Sequence, residues 1–549
     1  MSPSTPTERT SRSDDHVAYL AATSPPNPTE IPYSSFTLYQ RYLIVTLASI
    51  SATFSGFASN IYFPAIPIIA KSLNTTESNI NLTVTSYMVF QAISPTFWGA
   101  VSDVYGRRLT LLCTMIVFLS ACIGLALSTE FYQLIILRCL QSSGSASTIA
   151  IGAGMIGDIT TREERGGYMG IFQTGLLSPL SIGPILGGIF AETLGWRSIF
   201  WFLTIYSGIY LIILFLLLPE TLRSIVGNGS IPPYQLSKSP LERITANRTP
   251  LPTNNTTTTT TTETTPKTKN KKLKIDFIAP IRILFEKEVI FVLVFLSIHY
   301  ATWQMALTVQ STLFMNIYHL KEYQIGLTFL SNGLGCMIGT LTTGKILDRD
   351  YKKFSNKHKR QREQQRQESL ASVSRNGNAS AILNSNANPN PTEMTKEDEE
   401  EDFPIERIRL RSIWIWSPIQ WISTLIFGWT IDKNQHISLP IISSFFLAWS
   451  AMSIQSVITT FLVDIFPNSS ASATASLNLA RCLMGALTTG TIDISIRSIG
   501  TGWSFTIWTL FMVLSLGLVV VQMRFGAGWR RQREMKEKEK TVHDLSSVK

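Results

Sequence analysis

The stretch Gly99-Ala-Val-Ser-Asp103-Val-Tyr-Gly106-Arg107-Arg108 lies in a short loop between two long apolar runs. A small residue, an acid, a glycine and two arginines in this order predict a tight charged turn at a membrane surface. A weaker copy, Gly344-Lys-Ile-Leu-Asp348-Arg349, follows a later apolar run. A membrane protein that carries the same turn in both halves is expected to be a duplicated transporter.

The composition is that of a membrane protein. The chain has 549 residues, of which 45% are hydrophobic and 15% are charged, and the apolar residues form long blocks. The net charge of +10 comes from basic residues beside these blocks, where they orient the chain in a bilayer, so we expect no nucleic-acid partner. The five cysteines form no paired motif, which predicts neither a metal site nor a disulfide framework.

The sequence contains no motif of an enzyme. It has no Gly-x-x-x-x-Gly-Lys-Ser/Thr loop, so ATP-driven export is not expected, and no His/Cys/Asp cluster has metal-ligand spacing. We therefore expect a protein that is not an enzyme and that needs no cofactor.

Twelve apolar runs are long enough to cross a bilayer, since a helix needs about 20 residues to span a hydrocarbon core of about 30 Å. The polar N-terminus lacks the features of a cleaved signal peptide, so the first run is expected to act as an uncleaved signal anchor. The predicted spans are 42–61, 82–101, 109–127, 132–154, 170–190, 199–218, 289–309, 327–346, 410–431, 439–463, 471–492 and 504–521.

These spans predict an all-α membrane protein made of two six-helix bundles. Two long polar segments separate or interrupt the bundles, and neither can bury a core, so we expect a disordered linker and a solvated insert. The predicted segments are an N-terminal tail (1–40), the first bundle (41–221), the linker (222–288), the second bundle (289–524) with its insert (351–405), and a C-terminal tail (525–549).

Lysine and arginine counts predict the orientation of the chain. The loops after even-numbered spans and the C-terminal tail are basic, whereas the loops after odd-numbered spans are short and poor in basic residues. Both termini are therefore expected in the cytoplasm. Asn74 and Asn81 head glycosylation sequons on the predicted outer side, close to the membrane.

One arginine lies inside the fourth predicted span, in Arg138-Cys-Leu-Gln141-Ser-Ser-Gly144. A charge at this depth costs several kcal/mol by insertion scales, so it normally faces a cavity or a partner. The alternative is an arginine whose donors are satisfied by carbonyl groups at a helix end. Both interpretations are open on the sequence.

The fifth span contains Gly183-Pro184-Ile-Leu-Gly187-Gly188. Small residues at this spacing allow the backbones of two helices to approach closely, and Pro184 removes one backbone donor and can bend the helix. Plain helix packing therefore explains part of the motif.

The opening turn also has chemistry of its own. Asp103 and Arg107 are four residues apart and can approach across the turn, and an arginine of the turn can also reach Asp158 at the end of the fourth span. Exposed ion pairs stabilise a protein little. Their expected use is to hold one conformation and to release it in another.

Two sets of six spans with a repeated charged turn resemble the major facilitator superfamily, and further stretches are similar to the fungal twelve-span drug:proton antiporters, especially the quinidine-resistance branch. The resemblance implies a plasma-membrane exporter driven by the proton gradient. The stretches that carry it, besides those above, are 60–67, 219–221, 403–410, 461–467 and 471–482.

The resemblance also assigns roles to individual residues. It implies that Arg138 serves proton transfer and that Gly183, Pro184, Gly187 and Gly188 form the motif of antiporters. It implies a gating latch that holds the two halves in an outward-open state. The latch residues are Gly99, Asp103, Gly106, Arg107, Arg108 and Asp158, with Gly344, Asp348 and Arg349 from the second copy.

Other ionisable residues near the membrane are few. His299 and Asp493 are further candidates for proton coupling, because an imidazole titrates near neutral pH and Asp493 lies at the outer end of the eleventh span. The alternatives are a buried neutral histidine and an aspartate that only caps a loop.

Aromatic and amide side chains in the spans are candidates for a substrate pocket, and they suit flat, amphipathic or cationic small molecules through stacking, cation–π contacts and hydrogen bonds. Drugs, polyamines and weak organic acids are the expected substrate classes. The expected partners are this substrate, protons and the lipid bilayer, and the protein is expected to be a monomer. An importer or uniporter of the same fold and a transporter-like nutrient sensor are the alternative functions. The pocket candidates are Tyr87, Gln91, Gln141, Trp303, Gln304, Gln310, Asn478 and Arg481.

Overall fold

Twelve long helices make up the computed structural model, which describes residues 34–161, 164–229, 240, 279–375, 405–466 and 470–547. Each helix overlaps one predicted span, which confirms the predicted architecture. The helices are α1 (Leu38–Asn60), α2 (Glu77–Tyr105), α3 (Arg107–Leu127), α4 (Phe131–Ile159), α5 (Arg165–Thr193), α6 (Arg197–Leu217), α7 (Lys287–Tyr318), α8 (Glu322–Arg375), α9 (Ile413–Asp432), α10 (Ser438–Ile465), α11 (Ser470–Ile499) and α12 (Thr501–Ser547).

Two helices extend into segments that we expected to be irregular. Helix α8 continues through Arg375, into the predicted insert, and α12 continues through Ser547, into the predicted tail. Both extensions are rich in Lys, Arg, Glu and Gln, which have high helix propensity. The rest of the insert (376–404) and most of the N-terminal tail and linker lie outside the described residues.

Local signals explain where several helices begin and end. Helix α1 starts at a capping box formed by Thr37 and Gln40. Single glycines join two of the helix pairs: Gly106, with φ of 104°, separates α2 from α3, and Gly500, with φ of 83°, separates α11 from α12. A residue with a side chain is strained at such positive φ values, so both turns require glycine.

By length and hydropathy, nine helices among the described residues qualify as membrane spans, and α2, α9 and α11 do not. Two of these three, α2 and α11, pack against each other, and their polar side chains form hydrogen bonds inside the protein. Thr85 of α2 bonds Thr489 of α11 at 3.0 Å, and Ser94 of α2 bonds Ser147 of α4 at 2.7 Å. Their low hydropathy therefore reflects burial between helices rather than exposure to water.

The helix contacts repeat between the two halves. Helix α4 packs against α1, α2 and α3, and its counterpart α10 packs against α7, α8 and α9. The halves contact each other mainly through two helix pairs, α2 with α11 and α5 with α8. Helices α2 and α5 of the first half correspond to α8 and α11 of the second half. The contact of α2 with α11 therefore corresponds to the contact of α8 with α5, as a pseudo-two-fold axis requires.

The two ends of the bundle differ. We call the end where α1 begins and α12 ends the terminal face, and the opposite end the distal face. Toward the distal face α5 touches α8: a Cβ at Gly188 would stand 3.0 Å from the carbonyl carbon of Glu322, and a Cβ at Gly326 would stand 2.5 Å from the carbonyl oxygen of Pro184.

The same helix pair is separated toward the terminal face. Helices α5 and α8 run antiparallel, and extending the alignment seen at the distal face would place Gly170 opposite Gly344. A Cβ built at either glycine has no neighbouring atom within 4 Å, so the two helices do not touch there. In the described part of the chain the halves therefore close the distal face, and the space between them opens toward the terminal face.

Candidate functional site

The charged turn forms an ion-pair cluster at the terminal face. Arg107 pairs with Asp103 at 2.6 Å and with Asp158 of α4 at 3.0 Å. Arg107 and Asp158 are mostly buried, whereas the Asp103 side chain is 51% exposed. The two predicted contacts are thus present within the first half, and Asp103 keeps an exposed edge toward the terminal face.

Glu220 completes this cluster and was not among the predicted site residues. Its carboxylate accepts hydrogen bonds from the backbone N–H groups of Arg107 at 2.8 Å and Arg108 at 3.3 Å, and from those of Thr221 and Leu222. An acid at the N-terminus of α3 is favourable because unpaired N–H groups carry partial positive charge there. The Pro-Glu-Thr sequence after the sixth span is the only signal in the chain for this role.

The second half has an equivalent ion pair at a place the sequence did not indicate. Arg409, just before α9, pairs with Asp464 at the end of α10 at 2.7 Å, as Arg107 at the start of α3 pairs with Asp158 at the end of α4. The polar insert separates this arginine from the second copy of the turn. In that copy Gly344 and Arg349 lie on α8, where Arg349 is exposed; of Asp348 only the helical backbone is described.

Two further buried ion pairs hold the terminal face of the second half together. Arg530 of α12 pairs with Glu406 at 3.1 Å, with side-chain exposures of 6% and 2%. Arg533 pairs with Glu288 of α7 at 3.0 Å and donates a hydrogen bond to the carbonyl of Ile465. Neither pair was predicted from the sequence, because the two members of each pair are more than 100 residues apart.

Arg138 is buried in the first half, with 1% of its surface exposed. Its guanidinium lies between the rings of Tyr62 and Tyr87, 4.2 Å and 4.5 Å from their centroids. Its Nη1 donates to the carbonyl of Ala58, in the last turn of α1, and to Oε1 of Gln141. A carbonyl group at a helix end therefore satisfies one donor of Arg138, the Nη1 that bonds Ala58.

The remaining donors of Arg138 have no such partner. Among the described residues, Nε and Nη2 have no hydrogen-bond acceptor, and no carboxylate lies within ion-pair distance of the guanidinium. A buried charge without a counter-ion is costly, so this arginine is well placed to respond to a charge that arrives nearby. Its role in proton transfer stays a prediction.

The glycine motif of α5 faces two different neighbours. Gly187 packs on the backbone of Ile61 within the first half, where a Cβ would overlap the carbonyl oxygen. Gly188 packs on the backbone of Glu322 and Tyr323 in the second half. Gly183 has ordinary contacts, with its nearest neighbour at 3.4 Å. One glycine therefore serves the fold of the first half, and its neighbour serves the distal contact between halves.

Arg481 lies near mid-length of α11, one turn from a residue that contacts the first half, and is partly exposed. Its Nε and Nη2 donate to Oδ1 of Asn478, and its Nη1 donates to Oε1 of Gln455 in α10. The guanidinium stands 5.0 Å from the ring centroid of Tyr300. Asn478 in turn donates to the backbone carbonyl of Gln91 across the halves at 2.9 Å. Gln455 and Tyr300 were not predicted.

The other predicted pocket residues divide by burial. Gln91 is partly exposed between the halves, whereas Tyr87, Trp303 and Gln304 are buried, with exposures of 1%, 4% and 5%. Gln141 and Gln310 are fully buried and bond to Arg138 and Thr328, so they support neighbouring side chains and do not line an open pocket.

His299 is buried inside the second half. Its Nδ1 lies 3.0 Å from the carbonyl oxygen of Phe295, its ring packs on that of Phe295, and in the described residues its Nε2 has no partner. Asp493, near the distal face, pairs with Arg497 one turn along α11 at 3.1 Å. These contacts favour a buried structural histidine at 299 and a structural ion pair at Asp493, and they do not bring the two residues into one site. Proton coupling by either residue stays a prediction.

The two glycosylation candidates have different surroundings. Asn74 is exposed in a turn with φ of 49°. Asn81 is 3% exposed within α2, and a sugar attached to its buried amide would have no room in the folded bundle. The structure therefore contradicts Asn81 as a candidate, while Asn74 stays a prediction.

Solved structures share the fold of this chain. A D-xylose-proton symporter has a TM-score of 0.56 at 15% identity, with 88% of this chain and 97% of that chain covered. A bacterial homologue of the human lysosomal transporter Spinster has a TM-score of 0.53 at 13% identity, with coverages of 90% and 98%.

Several curated proteins are more similar in sequence. Citrate exporter 1 of Aspergillus niger is 36% identical over 514 residues, or 93% of this chain and 90% of the relative. Multidrug transporter QDR2 of Candida glabrata is 33% identical, with coverages of 94% and 85%. Quinidine resistance protein 1 of Saccharomyces cerevisiae is 31% identical, with coverages of 87% and 81%.

A family model described as Major Facilitator Superfamily matches residues 48–361. This match covers more than half of the chain, and the paired six-helix halves and the repeated terminal-face ion pairs agree with it. The chain is a multi-pass membrane protein that belongs to the major facilitator superfamily, among relatives that include the fungal quinidine-resistance transporters.

Proposed function

We propose that this protein exports small molecules across the plasma membrane in exchange for protons, as a monomer with both termini in the cytoplasm. The observation that carries the proposal is the distal seal between α5 and α8, made where glycines let the two backbones touch. With the terminal face in the cytoplasm, the open space between the halves faces the side from which an exporter loads its substrate.

The remaining geometry supports alternating access. A transporter of this kind needs two contact regions that form in different states. The distal seal is one such region. The exposed edge of Asp103 at the terminal face is available for a contact in the other state, which agrees with the gating latch expected from the sequence.

The similar proteins support export over uptake. They include a citrate exporter and multidrug transporters, so both organic acids and drug-like molecules are candidate substrates for this chain. Energy is expected to come from the proton gradient, with Arg138 as the residue that links proton movement to transport.

Inside-out membrane vesicles with an acidified lumen test this function. We expect them to accumulate at least one compound from a panel of quinidine, spermidine and citrate, and to lose this accumulation when a protonophore collapses the gradient. Arg138→Ala is expected to abolish accumulation at normal abundance in the membrane, and Arg524→Gln, which changes an exposed arginine on α12, is the matched control.

Each alternative has its own outcome. Accumulation that persists without the gradient would contradict proton coupling. Net movement only in the inward direction in intact cells would favour the importer or uniporter. A protein that moves no compound but changes the response of cells to a nutrient would favour the sensor.

A further inference from the structure

The middle of the membrane-spanning region carries positive charge and no acid. Among the described residues, two arginines lie well inside the predicted apolar spans, Arg138 in α4 and Arg481 in α11. Every described acid of the spanning segments lies within about two turns of a helix end. These acids are Glu77, Asp103, Asp158, Glu192, Glu288, Glu322, Asp432, Asp464 and Asp493.

Arg481 is the one of these two arginines that a solute can reach. It lies 11 residues after the first residue of α11, or about 16 Å along the helix at a rise of about 1.5 Å per residue. Its side chain is partly exposed at this depth, next to the hydrogen bond between Asn478 and Gln91 that joins the halves. Asn478 and Gly485, which flank Arg481 in α11, both contact α2 of the first half.

The surroundings of Arg481 hold it in place without neutralising it. Its three hydrogen bonds end on the side-chain oxygens of two amides, Asn478 and Gln455, and in the described chain no carboxylate lies within 4 Å of it. The ring of Tyr300 lies beneath the guanidinium. An arginine has five N–H donors, so two donors stay available on its terminal nitrogens.

This arrangement has a preferred kind of ligand. Carboxylates bind arginine through paired, charge-assisted hydrogen bonds, and a charge in a low-dielectric space gains most from a partner of opposite sign. An amine would instead meet two arginines and no acid, which is a repulsive arrangement. The fixed guanidinium therefore favours anions and disfavours polyamines.

We infer that the substrate is an organic anion whose carboxylate pairs with Arg481 between the two halves. This inference rests on the proposed function for its statement that the anion is transported. The binding of the anion can be measured separately, because it needs neither a gradient nor a membrane orientation.

Thermal unfolding of the purified full-length protein tests the site. Citrate, malate and benzoate are the anionic probes, and spermidine is the cationic probe. We expect at least one anion to raise Tm in a concentration-dependent manner, because a ligand that binds only the folded state stabilises it, and spermidine to leave Tm unchanged.

Two variants of the site and one control separate charge from geometry. Arg481→Gln is expected to weaken anion binding by about tenfold or more, since hydrogen bonds between charged groups are among the strongest. Arg481→Lys keeps the charge but loses the paired geometry, so an intermediate affinity is expected. Arg524→Gln is the control and is expected to bind as the wild type does.

Asn478→Asp tests the same site independently, in case Arg481→Gln does not fold. This nearly isosteric change places a carboxylate where Arg481 already donates two hydrogen bonds, so it supplies an internal counter-ion. The change also removes the amide donor that bonds the carbonyl oxygen of Gln91 at 2.9 Å, so the new ion pair offsets a lost hydrogen bond, and we expect a folded protein that no longer binds the anion.

The outcomes separate the site from the transport function. If none of the three anions binds the wild type, or if Arg481→Gln and Asn478→Asp both bind with unchanged affinity, the anion site is wrong. If the anion binds through Arg481 but vesicles accumulate no compound, the site stands and the proposed function fails. If vesicles accumulate only quinidine or spermidine, export stands and the anionic substrate is wrong.

Discussion

Gly188→Ala is expected to destabilise the closed distal face without harming the first half itself. The added Cβ would stand 3.0 Å from the carbonyl carbon of Glu322 and 3.1 Å from Cα of Tyr323, and closer still to the carbonyl oxygen of Glu322. All three atoms belong to the backbone of α8, so no side-chain rotation relieves the contact.

The magnitude follows from the distances. Ordinary contacts of a Cβ are 3.4–4 Å, so α5 and α8 must separate by roughly 0.5–1 Å, and overpacking of this kind costs about 1–3 kcal/mol. The cost applies only when the two helices touch. A difference of about 1–3 kcal/mol between two states changes their ratio about 5- to 150-fold, in favour of a state open at the distal face.

Labelling of a cysteine at residue 329 measures this shift. Phe329 is 1% exposed and stacks on Phe63 across the halves, with ring centroids 6.0 Å apart, so Phe329→Cys in a background without native cysteines reacts with a maleimide only after the distal face opens. Purified protein in detergent makes the orientation irrelevant. We expect Gly188→Ala to raise the labelling rate by several-fold to about 100-fold.

Two glycines of the same helix are the controls. Gly187→Ala is expected to lower Tm, because Gly187 packs on Ile61 within one half, and to leave the labelling rate nearly unchanged. Gly170→Ala meets open space and is expected to change neither quantity. A labelling rate for Gly188→Ala equal to that of Gly170→Ala, or a rise of the same size in Gly187→Ala, would refute the reasoning.

Two further predictions concern the terminal face. Glu406→Gln removes the negative charge from a buried ion pair with Arg530 and is expected to cost about 3–5 kcal/mol, seen as a lower Tm of the purified protein, whereas Glu363→Gln, at an exposed residue of α8, should leave Tm unchanged. Gly106→Ala introduces a side chain at φ of 104°, 2.5 Å from Oε2 of Glu220, and is expected to cost about 1–3 kcal/mol in the same measurement. An unchanged Tm in either variant would contradict the corresponding account.

The twelve spans could be predicted from the sequence because a chain that crosses a bilayer can adopt few backbone structures. Every backbone N–H and C=O in a bilayer needs an internal partner, so an apolar run of about 20 residues forms a helix. The predicted pair of Asp103 and Arg107 is also correct, because residues four apart are brought together locally. Local spacing and hydropathy were sufficient for both predictions.

Contacts between distant parts of the chain could not be predicted in this way. Glu220 bonds the start of α3 from 113 residues away. Because the insert lies before α9, the sequence does not show that Arg409 is equivalent to Arg107. The structure shows it through their ion-pair partners, Asp464 at the end of α10 and Asp158 at the end of α4. Neither relation has a fixed spacing in the sequence.

The sequence by itself determined the helices, the duplication, the charged turn and the presence of arginines within the spans. Only the tertiary structure decided which side of each helix faces which neighbour. Successive residues of a helix point about 100° apart, so Gly187 and Gly188 contact different halves although they are adjacent. The rotation of each side chain about its helix axis likewise buries Arg138 and leaves Arg481 partly exposed. Hydropathy does not set this angle, because apolar side chains lie on both the exposed and the buried sides of these helices.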